Sequence, residues 1–98
     1  HASTRDLSSR LPRTDEWYDF DRNPRDAVHV LASVSERSYQ GGRMGSDHPV
    51  SWCHRFQGGR SWYTAMGHTE QAYTEAALLG HLAGGLAWAR ARWVATAR

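Results

Sequence analysis

Residues 28 to 34, Val-His-Val-Leu-Ala-Ser-Val, put Val28, Val30, Ala32 and Val34 at every second position. That is the period of a strand, and the run is too short for a typical helix. A second alternation covers Val50 to Phe56 and a third covers Arg60 to Met66, separated by Gln57-Gly58-Gly59. Two alternating runs around a glycine turn predict a β-hairpin, with the glycines supplying the positive φ angles. Its first strand carries Val50, Trp52, His54 and Phe56 on one side and Ser51, Cys53 and Arg55 on the other. On the second strand Trp62, Thr64 and Met66 oppose Ser61, Tyr63 and Ala65. Gly67-His68-Thr69 ends this strand, and Thr69 or Thr74 is placed to cap the next element. From about Glu75 to Trp93 the spacing of Leu79, Leu82, Leu86, Ala89 and Trp93 predicts one apolar helix face. Gly80 and Gly84 leave a bare flank on that helix for close contact with a sheet. Ahead of the first strand, residues 1 to 27 are polar, punctuated by Pro12 and Pro24, and read as loop. Within that loop Asp15-Glu16-Trp17-Tyr18-Asp19-Phe20 is expected to run extended, anchored by Trp17 and Tyr18 with its acids outward. Tyr39 to Gly45, with three glycines, forms a second loop.

The order is therefore loop, strand, loop, hairpin, helix. One parallel-type strand, one hairpin and one helix cannot close a two-layer core, because one face of the sheet lacks a cover. A further half is implied, and an exposed sheet face of this kind is also a surface for homo-oligomer formation. The chain has 98 residues and begins with His1 rather than Met, which fits the same expectation of a truncated product. Hydrophobic residues make up 40%, and five Trp, four Tyr and two Phe favour a globular chain over a disordered one. No apolar run nears the roughly 20 residues of a membrane-spanning helix, so no membrane partner is expected. All twelve basic residues are Arg, as a GC-rich coding sequence would give, but they are scattered and the net charge is only +2. That pattern does not make a nucleic-acid footprint. No secretion signal is visible at the N-terminus.

Candidate chemistry is sparse. The glycine pairs match neither the Rossmann fingerprint nor the P-loop, and two His on one helical turn around a Glu are absent. No cofactor is expected. Cys53 sits inside a strand without a sharp glycine turn, so it reads as a buried structural thiol, not a nucleophile. An antiparallel pair would bring His48, before the first hairpin strand, and His68, after the second, to one edge of the sheet. They could line a site there or satisfy backbone carbonyls. With Glu16 they would make a three-ligand cation site, but one gathered from separate loops, and no metal is expected. Trp62 and Tyr63 read as sheet packing, with a sugar platform as the alternative.

Longer motifs are more specific. Asp47-His48-Pro49-Val50-Ser51-Trp52, followed by Gly58-Gly59-Arg60-Ser61-Trp62-Tyr63-Thr64-Ala65-Met66-Gly67-His68, resembles the ThuA-like (trehalose utilisation) domain family. Asp15-Glu16-Trp17-Tyr18 is similar to that family's acidic segment, Arg22-Asn23-Pro24-Arg25 to a matching loop, and Leu82 to Ala89 to its closing helix. The likeness extends from the start of the chain to about residue 90. It implies an α/β fold: the C-terminal part of a glutamine-amidotransferase-like (flavodoxin-like), doubly wound domain, carrying a β-hairpin and a C-terminal helix. Residues 1–98 would then be a partial domain lacking its N-terminal half.

By the same likeness the chain belongs in carbohydrate metabolism, with a trehalose-like disaccharide or a keto form of one as the small-molecule partner. The intact parent would be a sugar-active hydrolase or isomerase, and the fragment alone inactive. Glu16 and His68 are the catalytic acid/base candidates, with His48, Arg60, Tyr63 and Trp52 as substrate-binding groups. The alternative is a non-catalytic carbohydrate-binding or interaction module, which the aromatic content would also serve.

Overall fold

A computed structural model describes residues 1–91. Strands β1 (His29–Ser33), β2 (Pro49–Phe56) and β3 (Gly59–Thr64) form one sheet in that order, and helix α1 (Ala76–Arg90) comes after them. Both pairings are antiparallel. The expectation of a parallel-type first strand is thus corrected: among the described residues no parallel pair exists. The reason lies in the connection. Parallel neighbours need a crossover, usually helical, whereas the chain between β1 and β2 carries only a 3-10 turn at Glu36–Ser38 and the glycine loop. Register shifts between Val30 and Ala32 and between Ala32 and Ser33 also break the even alternation expected of β1.

The hairpin forms as the alternation predicts, but its turn is one residue tighter. Phe56 pairs with Gly59, leaving Gln57 and Gly58 as the two turn residues, at φ 50° and 79°. Two successive positive φ values match the twist of the flanking strands. Gly59 is therefore strand, and Gln57, not a second glycine, carries the other left-handed position.

Cross-strand pairing sets the faces. Trp52 opposes Tyr63 and Cys53 opposes Trp62. The Cys53/Trp62 face receives α1, while the Trp52/Tyr63 face receives the N-terminal segment, where Phe20 lies edge-on to Trp52 (ring centroids 5.2 Å apart) and Tyr63 (6.0 Å). The segment read as plain loop thus supplies much of the cover expected from a further half. Trp17 packs with Ala32 and Leu82 against the buried cluster Met66, Ala72 and Leu78.

Helix α1 exists where the spacing places it, but it buries a different stripe. Leu78, His81 and Gly85 face inward, whereas Leu79 and Leu86 are 46% and 68% exposed. The physical cause is Trp62. Its indole already fills the gap between β3 and α1, so only a flat ring and a bare Cα fit over it: His81 at 4.9 Å between centroids, and Gly85, where any Cβ would overlap Trp62. Gly84 meets the backbone of Ala2 and Ser3, not the sheet, and Gly80 has only Asp6 Oδ2 as near as 4.0 Å. Trp93, the last residue of the expected face, lies outside the described residues. Thr69 caps the 3-10 turn Glu70–Thr74 by accepting from the Ala72 amide, while Thr74 does not cap α1, which starts after Glu75 without a side-chain cap.

Candidate functional site

Asp15 and Glu16 are adjacent in an extended segment, so their side chains leave on opposite sides. The expectation that both acids face outward fails for Asp15, whose side chain is only 1% exposed. Burial tends to raise its pKa, but hydrogen bonds from the amides of Gly67 (2.8 Å) and Glu16 (2.9 Å) and the contact with Arg13 Nε (3.0 Å) outweigh it and hold the carboxyl below its ordinary value. The His68 amide adds a further bond at 3.1 Å. Asp15 thereby clamps the loop that leaves β3. From the other side the Tyr73 hydroxyl donates to the Gly67 carbonyl at 2.7 Å. Gly67 sits at φ +108°, and a Cβ there would meet that hydroxyl at 2.9 Å, so the position needs glycine twice over.

The clamp brings His68 to Glu16, with Nε2 and Oε2 2.5 Å apart. Both side chains remain about half exposed, at 51% and 46%. A carboxylate and an imidazole within hydrogen-bond reach make an acid/base pair, and their exposure leaves room for a bound molecule. The Tyr18 hydroxyl lies 3.4 Å from Glu16 Oε1; desolvation and then the Glu16 carboxylate raise the phenol's pKa. Burial, followed by the nearby Tyr18, also raises the pKa of Tyr63. Tyr63 in turn stacks on Trp52 with centroids 4.4 Å apart. Tyr63 and Trp52 stack beneath the edge of Phe20.

The other expected residues lie elsewhere. His48 precedes β2 at the end of the sheet where β3 runs out, but its ring is fully buried and lines no open wall. It is held by Glu36 Oε2 (2.8 Å) and the Tyr39 hydroxyl (3.1 Å) at Nδ1 and by the Tyr18 carbonyl (2.9 Å) at Nε2. Arg60 stands at the hairpin end of β3, away from His68. Its guanidinium covers the Trp88 ring at 5.0 Å and donates to the Trp88 carbonyl at 3.2 Å, fastening the last turn of α1. Arg60 lines a 590 Å³ hollow beside the hairpin turn, and a larger cleft, 1310 Å³, lies between the N-terminal segment and β1. That cleft is bordered by Arg13, Asp15, Trp17, Ala32 and Tyr39, and none of the six residues singled out from the sequence lines it.

No functional role is assigned from sequence to Asp15, Tyr18, Asp19 or Glu36, and Tyr18, expected to anchor its segment, is 47% exposed. The first two stand inside the Asp15-Glu16-Trp17-Tyr18 motif, and alternation along an extended segment is the available signal that one acid turns inward. Glu36 has no such signal, since its partners sit in a loop without periodicity. A family model described as ThuA, trehalose utilisation, matches residues 1–89. No curated protein and no solved structure matches the chain.

Proposed function

The chain belongs to the ThuA family, described by trehalose utilisation, and we propose on that premise that it acts on a small sugar of the trehalose-like disaccharide class. The observation that carries this reading is the half-exposed Glu16–His68 pair at 2.5 Å, held by the Asp15 clamp with the Tyr18 hydroxyl beside Glu16. In this reading Glu16 and His68 move the proton, Tyr18 orients Glu16, and the uncovered parts of the half-buried Tyr63 and Trp52 rings contact the sugar. His48 acts from beneath by fixing the Tyr18 carbonyl, and Arg60 serves the fold, not the sugar. The doubly wound, glutamine-amidotransferase-like architecture that the family likeness implies would arise in a longer parent by adding strands at the free edge of β1.

The test uses trehalose and a keto form of it as probes, following product by NMR and binding by Trp fluorescence. Glu16→Gln and His68→Ala are expected to lower turnover by about 10²- to 10⁴-fold, the usual contribution of a positioned acid or base, with the fold intact by circular dichroism. Turnover unchanged in both variants would refute the assignment. Saturable binding without product in the parent would favour a carbohydrate-binding module.

A further inference from the structure

Asp19, Glu36 and His48 lie in three separate segments, yet one ligand-type atom from each falls within 4.8 Å of the others. We propose that these three side chains hold a divalent first-row transition-metal ion, of the Mn²⁺ or Zn²⁺ kind. The first support is the state of His48. Its Nε2 faces the Tyr18 carbonyl at 2.9 Å, which can only accept, so Nε2 carries a hydrogen. Nδ1 then faces Glu36 Oε2 at 2.8 Å and the Tyr39 hydroxyl at 3.1 Å, in a side chain with no exposure at all. A ring nitrogen and a carboxylate oxygen held that close need a proton or a metal ion between them. An imidazole whose remote N–H is fixed by a backbone carbonyl is also the arrangement by which proteins orient a ligating histidine.

Charge and scaffold give the second support. Asp19 and Glu36 bring two carboxylates to one imidazole, a donor set that suits a divalent ion. Both carboxylates are pinned by backbone amides of the glycine loop: Asp19 Oδ1 by Arg43 at 3.0 Å, Glu36 by Met44 at 2.8 Å and Gly45 at 3.0 Å. Gly42 has no room for a side chain, because a Cβ there would overlap the Glu36 carboxylate. Metal–ligand bonds of about 2.0–2.2 Å bring ligand atoms within roughly 4 Å of each other. Glu36 and His48 already meet that limit, so only the exposed Asp19 has to move inward. One nitrogen and two carboxylates with positions left open suit Mn²⁺, Fe²⁺ or Zn²⁺ better than Ca²⁺. This site is distinct from the Glu16–His68 pair, although Tyr18 touches both, through its carbonyl and its hydroxyl.

The experiment titrates the chelator-treated chain with MnCl₂ and with ZnCl₂, counting bound ions by Mn²⁺ electron paramagnetic resonance and by equilibrium dialysis. One ion per chain is expected. Asp19→Asn, which keeps an acceptor for the Arg43 amide, should weaken binding at least about tenfold while the metal-free melting temperature stays at its parent value. Glu16→Gln and His68→Ala should bind as the parent does, so this outcome is read independently of sugar turnover. Absence of one-to-one binding, full affinity in Asp19→Asn, or loss of the ion in His68→Ala would each overturn the proposal.

Discussion

Replacing Gly85 by Ala tests the packing of α1 more sharply than any larger change. On an exposed helical position the substitution gains about 1 kcal/mol, because Gly is the poorest ordinary helix former. At Gly85 the added methyl would lie inside the Trp62 ring, closer than 3.0 Å to Cδ2, Cε2 and Cζ2. Trp62 cannot simply retreat. It is sandwiched between β3 and α1, beside His81 and across from the buried Cys53, and its Nε1 is buried without a partner. Overpacking of a fixed core site costs about 1–3 kcal/mol, and three ring atoms under 3.0 Å put this site in the upper part of that range, so the net change should be a loss of about 1–2 kcal/mol. Gly80 is the internal control: the nearest atom to a methyl added there is 4.0 Å away, and Gly80→Ala should keep the gain of about 1 kcal/mol. At roughly 4–8 °C per kcal/mol for a chain of this size, thermal melts recorded by far-ultraviolet circular dichroism should move in opposite directions for the two variants. A Gly85→Ala protein as stable as its parent, or more so, would refute the account of why α1 turns Leu78 and His81 inward.

The buried titratable groups give two further expected outcomes. Burial first, and then the charge of Arg13, lower the pKa of His81, although the Ser3 carbonyl pulls the other way. A lowered folded pKa means that the unfolded chain takes the proton first, so the stability contributed by the neutral ring is complete above about pH 6.5 and is lost as pH falls through the folded value. Urea midpoints measured from pH 7.5 to 5 should therefore decline, and His81→Gln should flatten that decline; equal slopes would contradict the assignment. Burial raises the Cys53 thiol pKa, so Ellman's reagent should label the native chain only slowly and the urea-unfolded chain at once, whereas rapid native labelling would place the thiol at the surface.

The hairpin was legible because its signal is local: period-two alternation on both sides of a glycine turn leaves few other structures for residues 50 to 64. The helix was legible as an element and not as a surface. Counting leucines favoured Leu79, Leu82 and Leu86, of which only Leu82 packs on the core, while contact with Trp62 selected the small and flat residues Gly85 and His81, which no apolar count rewards. The Glu16–His68 pairing was legible through motif order, while the means of achieving it, a buried Asp15 accepting from Gly67 and His68, depends on contacts spanning more than fifty residues. The cluster of Asp19, Glu36 and His48 was illegible for the same reason in stronger form, since three segments without periodicity are brought together only by the tertiary fold.

The bond from His81 Nδ1 to the Ser3 carbonyl joins residues 78 apart, at 2.9 Å, and Ala2 lies against Gly84 beside it. Closing so long a loop carries an entropic cost that grows with its length, whereas the hairpin closes over two residues. Folding should consequently run from the middle of the chain outward, with the N-terminal clasp over α1 formed last and released first. Sub-global opening would then begin there: the amides around His81 should exchange with solvent sooner than those of Trp52 and Tyr63, and a protease acting at Arg5 or Arg10 would wet the His81 ring while the sheet beneath still stands.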